Sequence, residues 1–256
     1  MSARDTGTAA LAAYLIRLGD DRLVLGHRLS EWCGHGPILE EDIALTNIAL
    51  DLIGQAQALL TLGGEAEGKG RSADDLAYFR DEIDFTNCLL VEQPNGDFAQ
   101  TIARQFFFDA FDHLLASALE SSSHRPLAGV AAKARLEAAY HLRHSREWML
   151  RLGGGTEESH RRLQRAVGEL WRFTGELFES DDIDRELQAA GIAPDPAPIR
   201  KAWEETVSGV LREAGIDVPA DEPMRSGGRR GRHTEHLGHM LAEMQIVARS
   251  HPGARW

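Results

Sequence analysis

Cysteine is scarce in this chain of 256 residues, which contains only Cys33 and Cys88. Two cysteines cannot build a disulfide framework or, by themselves, a structural zinc site. No run of about eighteen apolar residues occurs either, which excludes a membrane-spanning helix on sequence grounds. Charged residues interrupt the N-terminal segment before a secretory apolar core could form. The sequence therefore predicts no signal peptide and a cytoplasmic protein.

Basic residues are outnumbered by acidic ones, 28 against 40, so the formal net charge is −12. A chain of this charge has no global positive field that would collect phosphates, and nucleic-acid binding is not expected. Hydrophobic residues make up 43% of the sequence, which is too apolar for disorder and predicts a folded globular protein.

The dominant period of the sequence is helical, and strand-like alternation bounded by turn residues is missing. Apolar positions three or four residues apart predict a second helix that ends at Gly63–Gly64 and a shorter helix over about 73–91. Asp97 and Thr156 are predicted to cap two later helices. Several predicted helices exceed twenty residues, which favours an all-α long-helix bundle.

We expect a single domain. Its core bundle is predicted over about residues 8–179, and the texture of the sequence changes after Ser180, where prolines separate shorter helices. The remainder, about 180–256, is therefore interpreted as a C-terminal helical extension of that bundle.

Long-helix bundles can bind two irons through one Glu from each of two helices and a Glu-x-x-His from each of two others. The one Glu-x-x-His here, Glu157 to His160, falls in the first turn after a triple-glycine loop, where exposure is expected. Within the apolar stripes, the polar residues that come near the pattern without matching it include Asp51, Asp109, Glu137 and His141. Their types and spacing favour hydrogen-bonded pairs or solvent-facing side chains over a metal centre.

The segment from Gly227 to His239 joins a basic, glycine-rich loop to a helix start that carries three histidines. It is compatible with an anion site, with a metal site at His236 and His239, and with a loop that docks on a partner. In an acidic chain the docking interpretation is favoured. The residues predicted to form this partner interface are Arg229, Arg230, Arg232, His233 and His236.

Several stretches along nearly the whole chain carry a family resemblance. They are LGDD at 18–21, LSEWCGH at 29–35, NIALDLIGQA at 47–56, LVEQPNG at 90–96 with Arg104 and Gln105, LWRFT at 170–174, HTEHLG at 233–238 and MLAEMQ at 240–245. These stretches resemble the ferritin-like structural subunits of the bacterial phenylacetyl-CoA epoxidases, which are monooxygenases of phenylacetate degradation.

The resemblance implies a ferritin-like fold and a multicomponent oxygenase that epoxidises the aromatic ring of phenylacetyl-CoA with O2 and electrons from an NADPH-dependent reductase. It implies that the di-iron centre belongs to a larger catalytic subunit with which this chain pairs. A small subunit and the reductase would complete the hetero-oligomer. The chain itself would then carry no cofactor, and Asp51, Asp109, Glu137 and His141 would be remnants of, or replacements at, a lost metal pocket.

Two alternatives stay open from the sequence. One is an oxygenase with its own, atypical di-iron ligand set. The other is an anion-binding helical module centred on Arg229 to Arg232.

Overall fold

The computed structural model describes residues 3–219 and 223–254, and this part of the chain contains helices and no strand. The α-helices are α1 (Ala3–Ser30), α2 (Leu39–Glu67), α3 (Ala73–Tyr78), α4 (Leu89–Glu92), α5 (Phe98–Leu119), α6 (Arg125–Gly153), α7 (Glu157–Trp171), α8 (Asp182–Ala189), α9 (Pro196–Glu213) and α10 (Glu235–Ser250). Short 3₁₀ turns cover Glu82–Asp84, Gly175–Phe178 and Gly228–Arg230. The predicted all-α fold is confirmed, and α1, α2, α5 and α6 are the long helices that the sequence period indicates.

The helices group into two compact units. The first unit contains the residues up to Gln93 and those from Gly227 onward, and the second unit contains Pro94–Ser226. In the first, α1 and α2 pack along one another, with α4 against α1, α3 against α2 and α10 against α3. In the second, α5 packs against α6, α7 and α9. The predicted C-terminal extension is thus shared between both units, while the organisation into one domain stays a prediction.

Both predicted N-caps are present. The side chain of Asp97 accepts a hydrogen bond from the backbone N–H of Gln100 at 3.0 Å. The hydroxyl of Thr156 accepts one from Ser159 N–H at 3.1 Å. Each satisfies one of the N–H groups that a helix start leaves without an intrahelical acceptor.

The prediction that the second helix ends at Gly63–Gly64 is wrong, because α2 continues to Glu67 and ends at Gly68 in the left-handed conformation. Both glycines are buried inside the helix. A Cβ on Gly63 would lie 2.7 Å from Ile16 Cγ1, and one on Gly64 would collide with the carbonyl oxygen of Arg71. These glycines therefore permit close packing and do not terminate the helix.

Two glycine-to-alanine changes on α2 should act in opposite directions. Gly54→Ala places its methyl group in open space and should stabilise the chain by about 0.5–1 kcal/mol, because alanine has the better helix propensity. Gly64→Ala forces the Arg71 backbone to move and should destabilise the chain by at least about 1 kcal/mol. Urea denaturation followed by circular dichroism measures both, and equal effects would contradict the different roles assigned to the two positions.

The single helix predicted over about 73–91 is also wrong, since the structure breaks it after Tyr78 and resumes regular α-helix only at Leu89. Carboxylates of α1 bind the backbone of the segment between the two helices. Asp20 accepts a hydrogen bond from the backbone N–H of Thr86 at 2.9 Å, and Asp21 accepts one from Cys88 N–H at 2.8 Å. Backbone groups that a helix would have paired internally are paired with side chains of another element instead.

Among the described helices, α2 alone is long and apolar enough to cross a membrane by length and composition. The core helices of soluble proteins pass the same test, so this is weak evidence for a span. One side of α2 is buried, including Leu45, Ile48 and Leu52. The absence of a membrane-spanning helix and the cytoplasmic location both stay predictions.

Candidate functional site

Two consecutive carboxylates of α1 lie at the centre of a buried network in the first unit. Asp20 is fully buried and accepts hydrogen bonds from both terminal nitrogens of Arg80. Asp21 accepts two from Arg229, with Nη1 to Oδ1 and Nη2 to Oδ2 both at 2.9 Å. Bidentate pairs of this kind are among the strongest hydrogen-bonded ion pairs in proteins. They tie two segments distant in sequence to the same helix turn.

A third buried carboxylate, Glu92, anchors the start of α10. Its oxygens accept hydrogen bonds from the backbone N–H of Thr234 at 2.6 Å, from the Thr234 hydroxyl at 2.8 Å and from Asn87 Nδ2 at 2.9 Å. His233 Nδ1 lies 2.7 Å from Glu92 Oε2. The carboxylate thereby fixes the N-cap residue of α10, Thr234, whose own side chain makes no capping hydrogen bond.

The imidazole of His233 lies between two acceptors. Its Nδ1 faces the Glu92 carboxylate, and its Nε2 lies 2.9 Å from the carbonyl oxygen of Phe85. Only the imidazolium form can donate from both nitrogens at once. Burial would lower the pKa of His233, but the hydrogen bond and charge of Glu92 outweigh it, so the pKa is raised.

The structure thus divides the predicted interface residues of the segment after Gly227. The side chain of His233 is fully buried, and that of Arg229 is 10% exposed. Both side chains are hydrogen-bonded inside the unit, to Asp21 and to Glu92. Arg230 and Arg232 are exposed and His236 is half-buried. Whether any of them contacts a partner stays a prediction.

The second unit holds a buried carboxyl of its own, Asp109 on α5. Gln105 Nε2 donates to its Oδ1 at 2.6 Å, and the hydroxyl of Ser145 on α6 donates to its Oδ2 at 2.7 Å. Burial raises the pKa of Asp109 to about 7, and the opposing effects of His141, Ser145 and Gln105 do not overcome it. Desolvation therefore dominates, and this carboxyl titrates near neutral pH.

Of the four candidate pocket residues, the structure brings Asp109 and His141 together. Both are buried on facing helices of the second unit. Glu137, one turn before His141 on α6, pairs with Lys133 at 3.3 Å. Asp51 is half-buried on α2 and belongs to the first unit.

These residues do not fit a di-iron centre. Both Asp109 oxygens already accept hydrogen bonds, from Gln105 and from Ser145, and Glu137 is paired with Lys133. The Glu157 to His160 pair does not converge on one point. Glu157 is exposed, whereas His160 Nδ1 lies 2.8 Å from the Gly153 carbonyl oxygen. Across residues 3–219 and 223–254, no group of three or more His, Cys, Asp or Glu side chains is arranged to hold a metal ion.

Comparison with known proteins agrees with the sequence resemblance. The family described as "Phenylacetic acid catabolic protein" matches residues 2–256. The chain belongs to this family. One relative is the C subunit of the 1,2-phenylacetyl-CoA epoxidase of Escherichia coli (strain K12), which is 54% identical over 246 residues, covering 96% of this chain and 99% of that protein. The resemblance to the epoxidase subunits is confirmed, and the all-α architecture is consistent with the ferritin-like fold expected of the phenylacetic acid catabolic proteins.

In this member of the phenylacetic acid catabolic proteins, the densest polar contacts involve residues that the sequence did not select as a site. Asp20, Asp21 and Glu92 are buried carboxylates, each with several donors. A signal was present, since two adjacent aspartates in the middle of an apolar helix cannot both face solvent beside buried leucines. Apart from Asn87, which lies five residues before Glu92, their partners lie 60 to 208 residues away and could not be identified from local spacing.

Proposed function

We propose that the chain is a non-catalytic structural subunit of a phenylacetyl-CoA epoxidase. It pairs with a larger ferritin-like subunit that carries the di-iron centre and the chemistry, and it stabilises that subunit. A small subunit and a reductase complete the hetero-oligomer. The name of the E. coli relative, which describes a subunit, supports a multichain assembly.

The observation that carries this proposal is the state of the buried polar cluster in the second unit. Where a di-iron bundle would direct several charged carboxylates at the metals, α5 places Asp109 between an amide and a hydroxyl. A second buried carboxyl, Asp112, lies on the same helix and raises the pKa of Asp109 further. Glu137, the candidate carboxylate on α6, is paired with Lys133. Both oxygens of the Asp109 carboxyl accept hydrogen bonds from neighbouring side chains and need no ion to satisfy them.

Glu137→Ala is expected to leave epoxidation of phenylacetyl-CoA within about twofold of the wild-type rate in a reconstituted complex. Even residues that only orient a metal ligand cost about 10–100-fold when removed, so loss of a true ligand should cost at least that much. The measurement is turnover of complexes purified by size exclusion, so that assembly is verified for each variant. Loss of activity in a fully assembled complex would refute the structural-subunit role.

Iron analysis provides a second, activity-independent test. The isolated chain, purified after expression with added ferrous iron, should retain only trace metal. Tight, stoichiometric iron would instead establish the alternative of an oxygenase with an atypical ligand set. The other alternative, an anion-binding module centred on Arg229 to Arg232, has one arginine fewer to offer an anion, because both terminal nitrogens of Arg229 donate to Asp21.

A further inference from the structure

One face of α2 is exposed and carries no charge over much of its length. It is defined here as the α2 face and consists of Leu39, Ile43, Asn47, Leu50, Gly54 and Gln57. The three large apolar side chains, Leu39, Ile43 and Leu50, are between 51% and 71% exposed. Single exposed leucines need no explanation, but three on one stripe of one helix form a contiguous surface. At a rise of 1.5 Å per residue the α2 face is about 27 Å long.

The charged residues of α2 have a single sign. Between Leu39 and Glu67 there are six acidic residues and no lysine, arginine or histidine. At 100° per residue, Glu40, Asp51 and Glu65 fall along one edge of the α2 face. Glu40 and Glu65 are exposed. The surface is therefore apolar along its middle and acidic along that edge.

We propose that the α2 face is the docking surface for a different protein whose own surface is apolar at the centre and basic at the facing edge. That protein is the larger catalytic subunit, and this identification rests on the proposed function. Opposite charges at the rim would steer the encounter and set the orientation, while the apolar centre would supply the affinity.

A second copy of this chain fits the α2 face poorly. In an antiparallel two-fold contact of the face with itself, the acidic edges of the two copies lie side by side and repel one another. Each copy also carries a formal charge of −12. A membrane fits no better, since anionic lipid surfaces attract basic helices and repel acidic ones.

The α2 face is too small to be a whole interface. A strip of about 27 Å by 10 Å covers roughly 270 Å², whereas a stable complex buries about 800 Å² on each partner. The face would therefore form the centre of a larger contact. The residues whose truncation costs the most binding energy cluster near the centre of such contacts.

The test uses the full-length chain and the larger subunit of the same epoxidase, with the dissociation constant measured by biolayer interferometry. Leu39→Gln, Ile43→Gln and Leu50→Gln are combined in one variant, because glutamine keeps helix propensity and removes the apolar surface. We expect binding at least about 100-fold weaker. The matched control combines Ile83→Gln, Ile246→Gln and Val247→Gln, which are 55% to 74% exposed on other elements of the same unit. It should bind as the wild type does.

A charge variant tests the acidic edge. Glu40→Lys with Glu65→Lys should slow association about tenfold or more at low salt. Glu186→Lys with Glu205→Lys changes the net charge equally at exposed positions of the second unit and should have a much smaller effect.

The outcomes separate this inference from the proposed function. If the wild-type chain pairs with the larger subunit and the α2 triple variant pairs equally well, the docking surface is elsewhere and only this inference is overturned. If the wild-type chain does not pair at all, both fail. Binding of the wild-type chain to anionic vesicles, or self-association, that the triple variant abolishes would also overturn the assignment to a distinct protein.

Discussion

Replacing Arg229 with alanine should lower the free energy of unfolding by about 3–5 kcal/mol. The change removes the bidentate partner of Asp21, a side chain that is only 1% exposed. A buried carboxylate that loses its counter-charge keeps its desolvation cost without the attraction that offset it. The backbone N–H of Cys88 still donates to Asp21, but one neutral donor does not replace a guanidinium.

Arg232→Ala is the matched control for this change, because Arg232 is an exposed arginine three positions further along the same segment. Its removal should alter stability by no more than about 0.5 kcal/mol. Both variants are measured by urea denaturation at one pH and ionic strength. If the two variants lose equal stability, the Arg229 to Asp21 pair does not hold this segment in place.

The contrast between these arginines shows where sequence reasoning reached its limit. The segment after Gly227 is basic and rich in glycine, which correctly marked it as unusual and suggested donors for a partner. Arg229 and His233 find their acceptors within the chain, at Asp21 and Glu92, 208 and 141 residues away. Because composition cannot reveal pairings over such distances, interior and exterior arginines of one loop look alike in the sequence.

Helix boundaries show the same division between local and distant causes. Asp97 and Thr156 were predicted as caps because capping depends on a residue and the three that follow it. The end of α2 was misplaced because glycine both ends helices and permits close packing inside them, and only the neighbours Ile16 and Arg71 distinguish the two. The break after Tyr78 depends likewise on carboxylates of α1, which lie far earlier in the chain.

The candidate pocket was predicted in part. Asp109 and His141 were selected as polar residues within apolar stripes, and the structure places both in the core of the second unit. Helical spacing alone also selected Asp51, which belongs to the other unit. Periodicity identifies the face of a helix on which a residue lies, but it does not say which helix packs against that face.

Asp109→Asn should make the chain more stable at neutral and alkaline pH. The folded-state pKa of Asp109 is raised from 3.8 to about 7, so the folded chain holds a proton that the unfolded chain releases. The contribution of Asp109 to the free energy of unfolding is therefore most favourable below about pH 4. It falls as the pH rises to 7, by about 1.4 kcal/mol per pH unit and about 4 kcal/mol in total. Asparagine has the same shape and no charge to desolvate, so this part of the pH dependence should vanish.

The measurement is urea denaturation of wild type and variant at intervals from pH 4 to pH 8, read as the difference between the two curves. His233, whose pKa is also raised, contributes stability that is lost at higher pH, as the pH rises through its own folded-state pKa, and it does so in both proteins. Subtraction removes that contribution and leaves the effect of Asp109 alone. Asp217→Asn, at an exposed position of the same unit, controls for the loss of one carboxylate. A constant difference between wild type and Asp109→Asn over the whole range would show that Asp109 is ionised in the folded chain and would contradict its raised pKa.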